Sequence, residues 1–211
     1  NYLNITFTIF WILLIINSIN FIDNMDGFAS INTSFICLAL GIISFLSNQN
    51  YLADISLVLL FSISGFFILN FPPAKIYMGD SGSLFTGFVL GFISILFNWS
   101  PVNQNILYYS FTPVLLFFSI PLLDFATVFT FRIKNKISPT TGGTDHISHR
   151  LLKAGNSVKG VLRIFVFINI MIFSLLSLSI IYSQFSLIFL ILYMVLVFYL
   201  FIKFAKMDVL D

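Results

Sequence analysis

Residues 2–47 read YLNITFTIFWILLIINSINFIDNMDGFASINTSFICLALGIISFLS, two long apolar runs with a short polar stretch between them. Each run has about the twenty residues that a helix needs to cross a bilayer. The stretch between them, INSINFIDNMDGFAS from Ile16 to Ser30, packs three asparagines and two aspartates where leucine would be easier to insert. This pattern predicts a helical hairpin in a membrane with a polar cluster at one end.

The rest of the chain repeats the pattern. Of 211 residues, 59% are hydrophobic and 9% charged, against about 25% charged in a soluble domain. The mean hydropathy is +1.03. Seven apolar segments are long enough, or nearly so, to span a bilayer: about Tyr2–Ile19, Phe28–Ser47, Ile55–Leu69, Leu84–Asn98, Ile106–Phe131, Val158–Tyr182 and Phe185–Phe204. Pro113 and Pro121 are expected to kink the fifth. The expected fold is all-α: a polytopic transmembrane helix bundle of about seven spans, forming one membrane-embedded domain over residues 1–211.

The connections between these segments alternate in character. NQNYLAD, NWSPVNQN and YSQ are short and carry no Lys or Arg. FIDNMDG, FPPAKIYMGDSGS, the long RIKNKISPTTGGTDHISHRLLKAGNSVKG and the tail KFAKMDVLD lie on the other side, and all ten basic residues fall there or at the adjoining helix ends. An excess of Lys and Arg marks the cytoplasmic side. Every aspartate except Asp54, and both histidines, sort to that same side, so the chemistry is expected in cytoplasmic loops. A net charge of +2 offers no basic face large enough for nucleic acid. The single cysteine, Cys37, sits in an apolar run and reads as a core thiol.

Three clusters on that side could carry chemistry. Asn17, Asn20, Asp23 and Asp26 recur every three residues and form a spiral patch at one helix end. Asp26-Gly27 also suits a turn that caps the helix beginning at Phe28. In NFPPAKIYMGDSGS, from Asn70 to Ser83, Pro72-Pro73 ends one helix, and Ser81 or Ser83 can cap the next. Lys75 adds a charge there and Asp80 a hard oxygen ligand, a set suited to a magnesium–phosphate site. Gly87 and Gly91 form a G-x-x-x-G read as a helix-packing face. The third cluster runs from Asp124 to Arg150. Asp145, His146, His149 and Arg150 fall within six residues, and the histidines and arginine can donate to phosphate oxygens. Lys134 and Lys136 read as topology charges, and Asp124 is placed to pair with Arg132 two helical turns on. No Cys or third His accompanies the His-x-x-His pair, which argues against zinc.

Together the three stretches resemble the polyprenyl-phosphate N-acetylhexosamine-1-phosphate transferases of glycosyltransferase family 4. NSINFIDNMDGFAS resembles that family's N-A-x-N-x-x-D-G-x-D-G-L motif. NFPPAKIYMGDSGSLFTGFVLG is similar to its N-x-x-P-A-K-x-F-M-G-D-x-G-S segment. PLLDFATVFTFRIKNKISPTTGGTDHISHRLLKAG resembles its P-x-x-D, S-P and Asp-x-x-His-x-His-type loop. The resemblance covers Asn17 to Gly155 in the family's order.

It implies a multi-pass enzyme of the bacterial inner membrane with its active site on the cytoplasmic face. The phosphate of undecaprenyl phosphate would attack a UDP-N-acetylhexosamine, with Mg²⁺ as cofactor and Mn²⁺ as the alternative ion. A second copy of the chain is a further candidate partner. By the same resemblance Asp80 is the metal ligand with Asn20 as the second, and Asp23 and Asp26 are paired acids near nucleotide and metal. Tyr77 stacks on uracil with Asn70 beside it, and Lys75 serves the same substrate. Asp145, His146, His149 and Arg150 grip the pyrophosphate or sugar.

Two positions depart from the family pattern. Asn24 replaces the first Gly of D-G-x-D-G, and the loop reads D-H-I-S-H-R where a run of adjacent histidines is usual. The missing triple-His arrangement favours a branch that starts O-antigen, teichoic acid or other surface polysaccharides over the peptidoglycan branch. The family's earlier Asp-Asp motif is absent, which predicts an N-terminally truncated chain that is inactive by itself. A polytopic transporter and a non-catalytic homologue are the competing readings. A transporter would line several helices with polar groups near mid-membrane.

Overall fold

A computed structural model describes residues 2–97, 117–138 and 142–207, and it contains no strand among them. Its helices are α1 (Tyr2–Ile22), α2 (Phe28–Leu46), α3 (Asn50–Asn70), α4 (Gly79–Leu96), α5 (Ser119–Lys134), α6 (Ile147–Lys153), α7 (Val158–Ile181) and α8 (Ser186–Ala205). A 3₁₀ turn at Ser183–Phe185 joins the last two. The protein is an all-α polytopic membrane bundle. Among the described residues six helices, α1 to α4, α7 and α8, are long and apolar enough to cross a membrane. The fifth expected span is described only from Phe117 onward, and its beginning, with Pro113, lies outside the described residues. Pro121 does not kink α5: it sits in the first turn, where its missing N–H costs nothing.

The bundle is turned outward in the manner of a protein solvated by lipid. Phe7, Phe10 and Leu13 of α1 are exposed, as are Phe61 of α3 and Phe198 of α8, while Ile15, Ile19, Ile22, Phe28 and Leu40 are fully buried. One polar pair inside the bundle is closed on itself. Asn169 of α7 donates to Asn32 Oδ1 of α2 at 2.8 Å, and each amide also donates to a carbonyl of its own helix. No open row of mid-membrane polar groups of the kind a transporter needs is formed by this pair.

The contact between α1 and α4 does most to position the site. A Cβ placed on Gly87 would lie 2.7 Å from Ile16 Cα, so the two backbones meet with no side chain between them. One turn on, Gly91 faces the Ile15 side chain at 3.5 Å. Trp11 Nε1 donates to Ser94 Oγ at 2.9 Å and fixes the sliding register. With that register set, the polar end of α1 comes level with the start of α4.

Candidate active site

The loop after α1 turns through Gly27, whose φ of +72° is open to glycine at little cost. A Cβ there would also lie 2.9 Å from the Phe67 ring. Gly27 occupies the N-cap position of α2, so Asp26 does not cap that helix as the sequence suggested. Instead Asp26 Oδ2 accepts from Ala74 N–H at 3.0 Å and ties this turn to the Pro72–Tyr77 segment.

Asn70 joins the same two segments from beneath. Its Oδ1 accepts from Gly27 N–H at 2.9 Å and from Ser30 Oγ at 3.0 Å, and its Nδ2 donates to Ile76 O at 2.9 Å. The residue is buried, and its amide is spent on the backbone, not on an open pocket. Asn70 thereby ties the turn after α1 to the loop that leads into α4. Lys75 and Tyr77 stand exposed on the loop it braces, Tyr77 at 76%.

Helix α4 starts at Gly79, five residues before the expected start, so Asp80, Ser81 and Ser83 all fall within its first turns. Neither serine caps it. Ser83 Oγ donates back to Gly79 O at 3.1 Å and accepts from Asn20 Nδ2 at 2.9 Å. The Asn20 amide also donates to Asp80 Oδ1 at 3.0 Å. Asp23 completes this group. Burial raises its carboxyl to about 6, a hydrogen bond from the Gly79 backbone opposes that, and the charge of Asp80 adds to it. Two carboxylates and the Asn20 amide group therefore come together where α1 ends and α4 begins. Asn17 does not join them; it is exposed and donates to Leu13 O of its own helix at 2.7 Å.

The third wall is built on α6. Asp124 of α5 is fully buried; its Oδ1 accepts from Ile147 N–H and its Oδ2 faces His146 Nδ1, both at 2.7 Å. Asp124 thus anchors the start of the His helix instead of pairing with Arg132. Arg132 takes Asp145 in a two-pronged ion pair, Nε to Oδ2 at 2.7 Å and Nη2 to Oδ1 at 2.8 Å, with both residues buried. Burial pushes the Asp145 carboxyl up, but the Arg132 hydrogen bonds and charge outweigh it and hold the group below the usual carboxylate value. Both Asp145 oxygens are engaged by Arg132, and the pair shapes the loop that leads into α6.

Arg150 is engaged with the protein in the same way. It is 1% exposed; Nε donates to Asp145 O at 2.8 Å, and Nη1 donates to Phe204 O and Met207 O at 3.1 Å each. Its guanidinium lies 5.0 Å from the Phe131 ring centroid. Arg150 bolts α6 to the end of α8, and its buried Nη2 has no hydrogen-bond partner among the described residues.

His146 packs edge-on against Phe21 at 5.4 Å, which brings the His helix against the Asn20–Asp26 segment. His149 lies 6.3 Å from His146, ring centre to ring centre. Burial lowers its pKa and the nearness of His146 lowers it further, against the pull of Asp124, Asp145 and the Asn24 backbone. His149 is therefore neutral at pH 7. Ser148 Oγ donates to Asn24 Oδ1 at 2.5 Å. Asn24 and Ser148 are the positions where this sequence departs from the family pattern, and they contact each other across the site.

Asn20, Asp23, Asp26, Asp80, His146 and His149 are thus brought to one end of the bundle. Sequence reasoning missed Asp124 and Arg132 as the residues that hold the His wall. An acid inside an apolar run was the available signal for Asp124. The Asp23 and Asp80 carboxylates lie within electrostatic reach of each other, with the Asn20 amide on Asp80, a setting whose negative charge a small hard cation would relieve.

Residues 1–98 match the family model described as glycosyl transferase family 4. Over 151 residues the chain is 34% identical to a probable undecaprenyl-phosphate N-acetylglucosaminyl 1-phosphate transferase of Bacillus subtilis (strain 168), covering 71% of this chain and 41% of that protein. Over 91 residues it is 38% identical to a phospho-N-acetylmuramoyl-pentapeptide-transferase of Streptococcus thermophilus (strain CNRZ 1066), covering 43% of this chain and 27% of that protein. A protein of the same description from Streptococcus agalactiae (strain NEM316) is 38% identical over 94 residues, covering 44% of this chain and 28% of that protein. The chain spans about two fifths or less of the length of these curated relatives.

Proposed function

Since this chain belongs to glycosyl transferase family 4, we propose that it transfers N-acetylhexosamine 1-phosphate from a UDP-sugar to undecaprenyl phosphate in the bacterial inner membrane. An oxygen of the lipid phosphate attacks the β-phosphorus of the donor. The bond from that phosphorus to the α,β-bridging oxygen breaks, and UMP leaves with the electron pair. The observation that carries this reading is the convergence of Asn20, Asp23 and Asp80 beside the His146–His149 wall at one end of the bundle. A phosphoryl transfer of this kind needs positioning and charge neutralisation more than covalent chemistry from the protein.

Asp80, Asp23 and the Asn20 amide oxygen would hold Mg²⁺ or Mn²⁺. The ion would supply charge neutralisation for the donor pyrophosphate. The chain's own residues do the rest. Asn20 orients the Asp80 carboxylate by donating to it. Asp26 fixes the loop that presents Lys75 and Tyr77 to the nucleotide. His146 and His149 face the phosphates, with His149 neutral and so able both to donate and to accept. The basic end of the bundle is taken as cytoplasmic, from the placement of Lys and Arg.

The donor is proposed to be UDP-N-acetylglucosamine feeding a surface polysaccharide. Two observations support it. The likeness to the N-acetylglucosaminyl transferase runs over 151 residues, against 91 and 94 for the pentapeptide transferases. Ser148 also interrupts the histidines.

The test is UMP release from UDP-GlcNAc and undecaprenyl phosphate by the full-length protein, with and without Mg²⁺. We expect release that depends on the metal, and loss of about 100-fold or more in Asp80→Asn. Activity of Asp80→Asn equal to wild type would refute the metal role, and absence of UMP release with any UDP-sugar would refute the function.

A further inference from the structure

Away from this site, one cavity combines a long apolar wall with uncompensated charge. A groove of about 560 Å³ opens between α2, α3 and α7. Phe67 and Phe71 at the end of α3 line one side, and Leu162 and Phe167 of α7 the other. Lys159 and Arg163, four residues apart on α7, stand on one helix face at its polar end. Lys159 Nζ lies 5.4 Å from the Phe71 ring centroid. Arg163 is exposed and has no ion pair among the described residues.

The groove has the depth of one leaflet. Its lining on α7 runs from Lys159 to Ile170, a rise of about 16 Å along the helix. The hydrocarbon core of a bilayer is about 30 Å thick, so the groove starts at the interface and ends near the midplane. Positive charge sits at the interfacial end and only apolar side chains line the rest.

We propose that this groove binds one anionic phospholipid, its phosphate held between Lys159 and Arg163 and one acyl chain laid along Phe67 and Phe167. Basic pockets between transmembrane helices recognise lipid headgroups in this way. A free phosphate ion would leave the apolar wall unused, and a zwitterionic lipid would leave the paired cations uncompensated. The bound chain has a structural consequence. A Cβ on Gly27 would lie 2.9 Å from Phe67 and 3.2 Å from Leu162, so two groove walls press on the turn that carries Asp26. A lipid seated there backs the site from outside the bundle.

Lipid retention can be read without any transferase assay. The full chain is reconstituted in nanodiscs of phosphatidylcholine and phosphatidylglycerol, transferred to mild detergent and examined by native mass spectrometry. One phosphatidylglycerol per chain should persist. Its retention should fall about tenfold or more in the double variant K159Q/R163Q and survive in K159R/R163K. K134Q/K136Q neutralises two exposed cations outside the groove and should keep the lipid. Val166→Trp fills the groove with both cations in place and should lose it, which decides the matter if K159Q/R163Q fails to fold. Equal loss in K134Q/K136Q would show diffuse surface attraction and overturn the proposal. So would wild-type chain that retains no phosphatidylglycerol, that prefers polyprenyl phosphate, or that covers the groove with a second copy.

Discussion

Nδ1 of His146 lies 2.7 Å from Oδ2 of Asp124, and that carboxylate has no exposure to solvent. Because a carboxylate only accepts, Nδ1 must carry the proton, and under the proposed function Nε2 would be the atom that meets a substrate phosphate. Asp124→Asn tests this arrangement. The amide oxygen can still accept from Ile147 N–H, while its NH₂ now donates to Nδ1 and reverses the imidazole tautomer. The variant should remain folded and lose about 100-fold or more in UMP release. An Asp124→Asn protein with wild-type turnover would show that the orientation of His146 does not matter.

Acid stability should be set in part by Asp145. Its folded pKa lies below the ordinary aspartate value of about 3.9. The unfolded chain therefore binds the proton more readily, and the ion pair stabilises fully above that value. The contribution is lost as pH falls below about 4 and through the folded pKa. Thermal unfolding of the wild type should decline more steeply below pH 4 than that of Asp145→Asn, which lacks the titration. Parallel declines in the two proteins would contradict this assignment.

Gly87→Ala should part α1 from α4. The added carbon would meet backbone at Ile16, which has no rotamer to move, so a cost of about 1–3 kcal/mol is expected. The same shift would lengthen Asn20–Asp80, so activity should fall together with stability. Gly65→Ala supplies the control: a Cβ there meets nothing within 4 Å, and the change should be smaller than about 1 kcal/mol. Equal melting temperatures for the two variants would count against the packing argument.

Arg150→Lys separates a structural role from a substrate contact. Lysine cannot reproduce three bonds to Asp145, Phe204 and Met207 oxygens, so we expect a loss of about 2 kcal/mol or more. The KM for the UDP-sugar should stay at its wild-type value in the folded fraction. A raised KM with unchanged melting would restore Arg150 to the substrate.

The bundle and its polarised end were legible because both rest on local features, the length of apolar runs and the side on which charge falls. The meeting of Asn20, Asp80 and the histidines was legible through the family resemblance. Partner choice was not. Asp124 and Arg132 lie two turns apart on one helix, and the loop after Lys134 folds back and supplies each with a different partner. Asn70 and Arg150 have the donors that a phosphate site needs, and composition cannot say whether such donors aim at a ligand or at backbone carbonyls. Asn24 and Ser148 each looked like an isolated departure. Their hydrogen bond joins two segments that are 124 residues apart in the chain.

The backbone contact at Gly87 also determines which parts of the cleft can move. Asn20 and Asp80 sit on two helices that touch without intervening side chains, so they form a single fixed jaw. The His helix reaches that jaw mainly through the Phe21–His146 ring contact and the Asn24–Ser148 bond. Any opening of the cleft therefore falls on that seam, which the Ser148–Asn24 hydrogen bond spans, and leaves the Asn20–Asp80 contact unchanged.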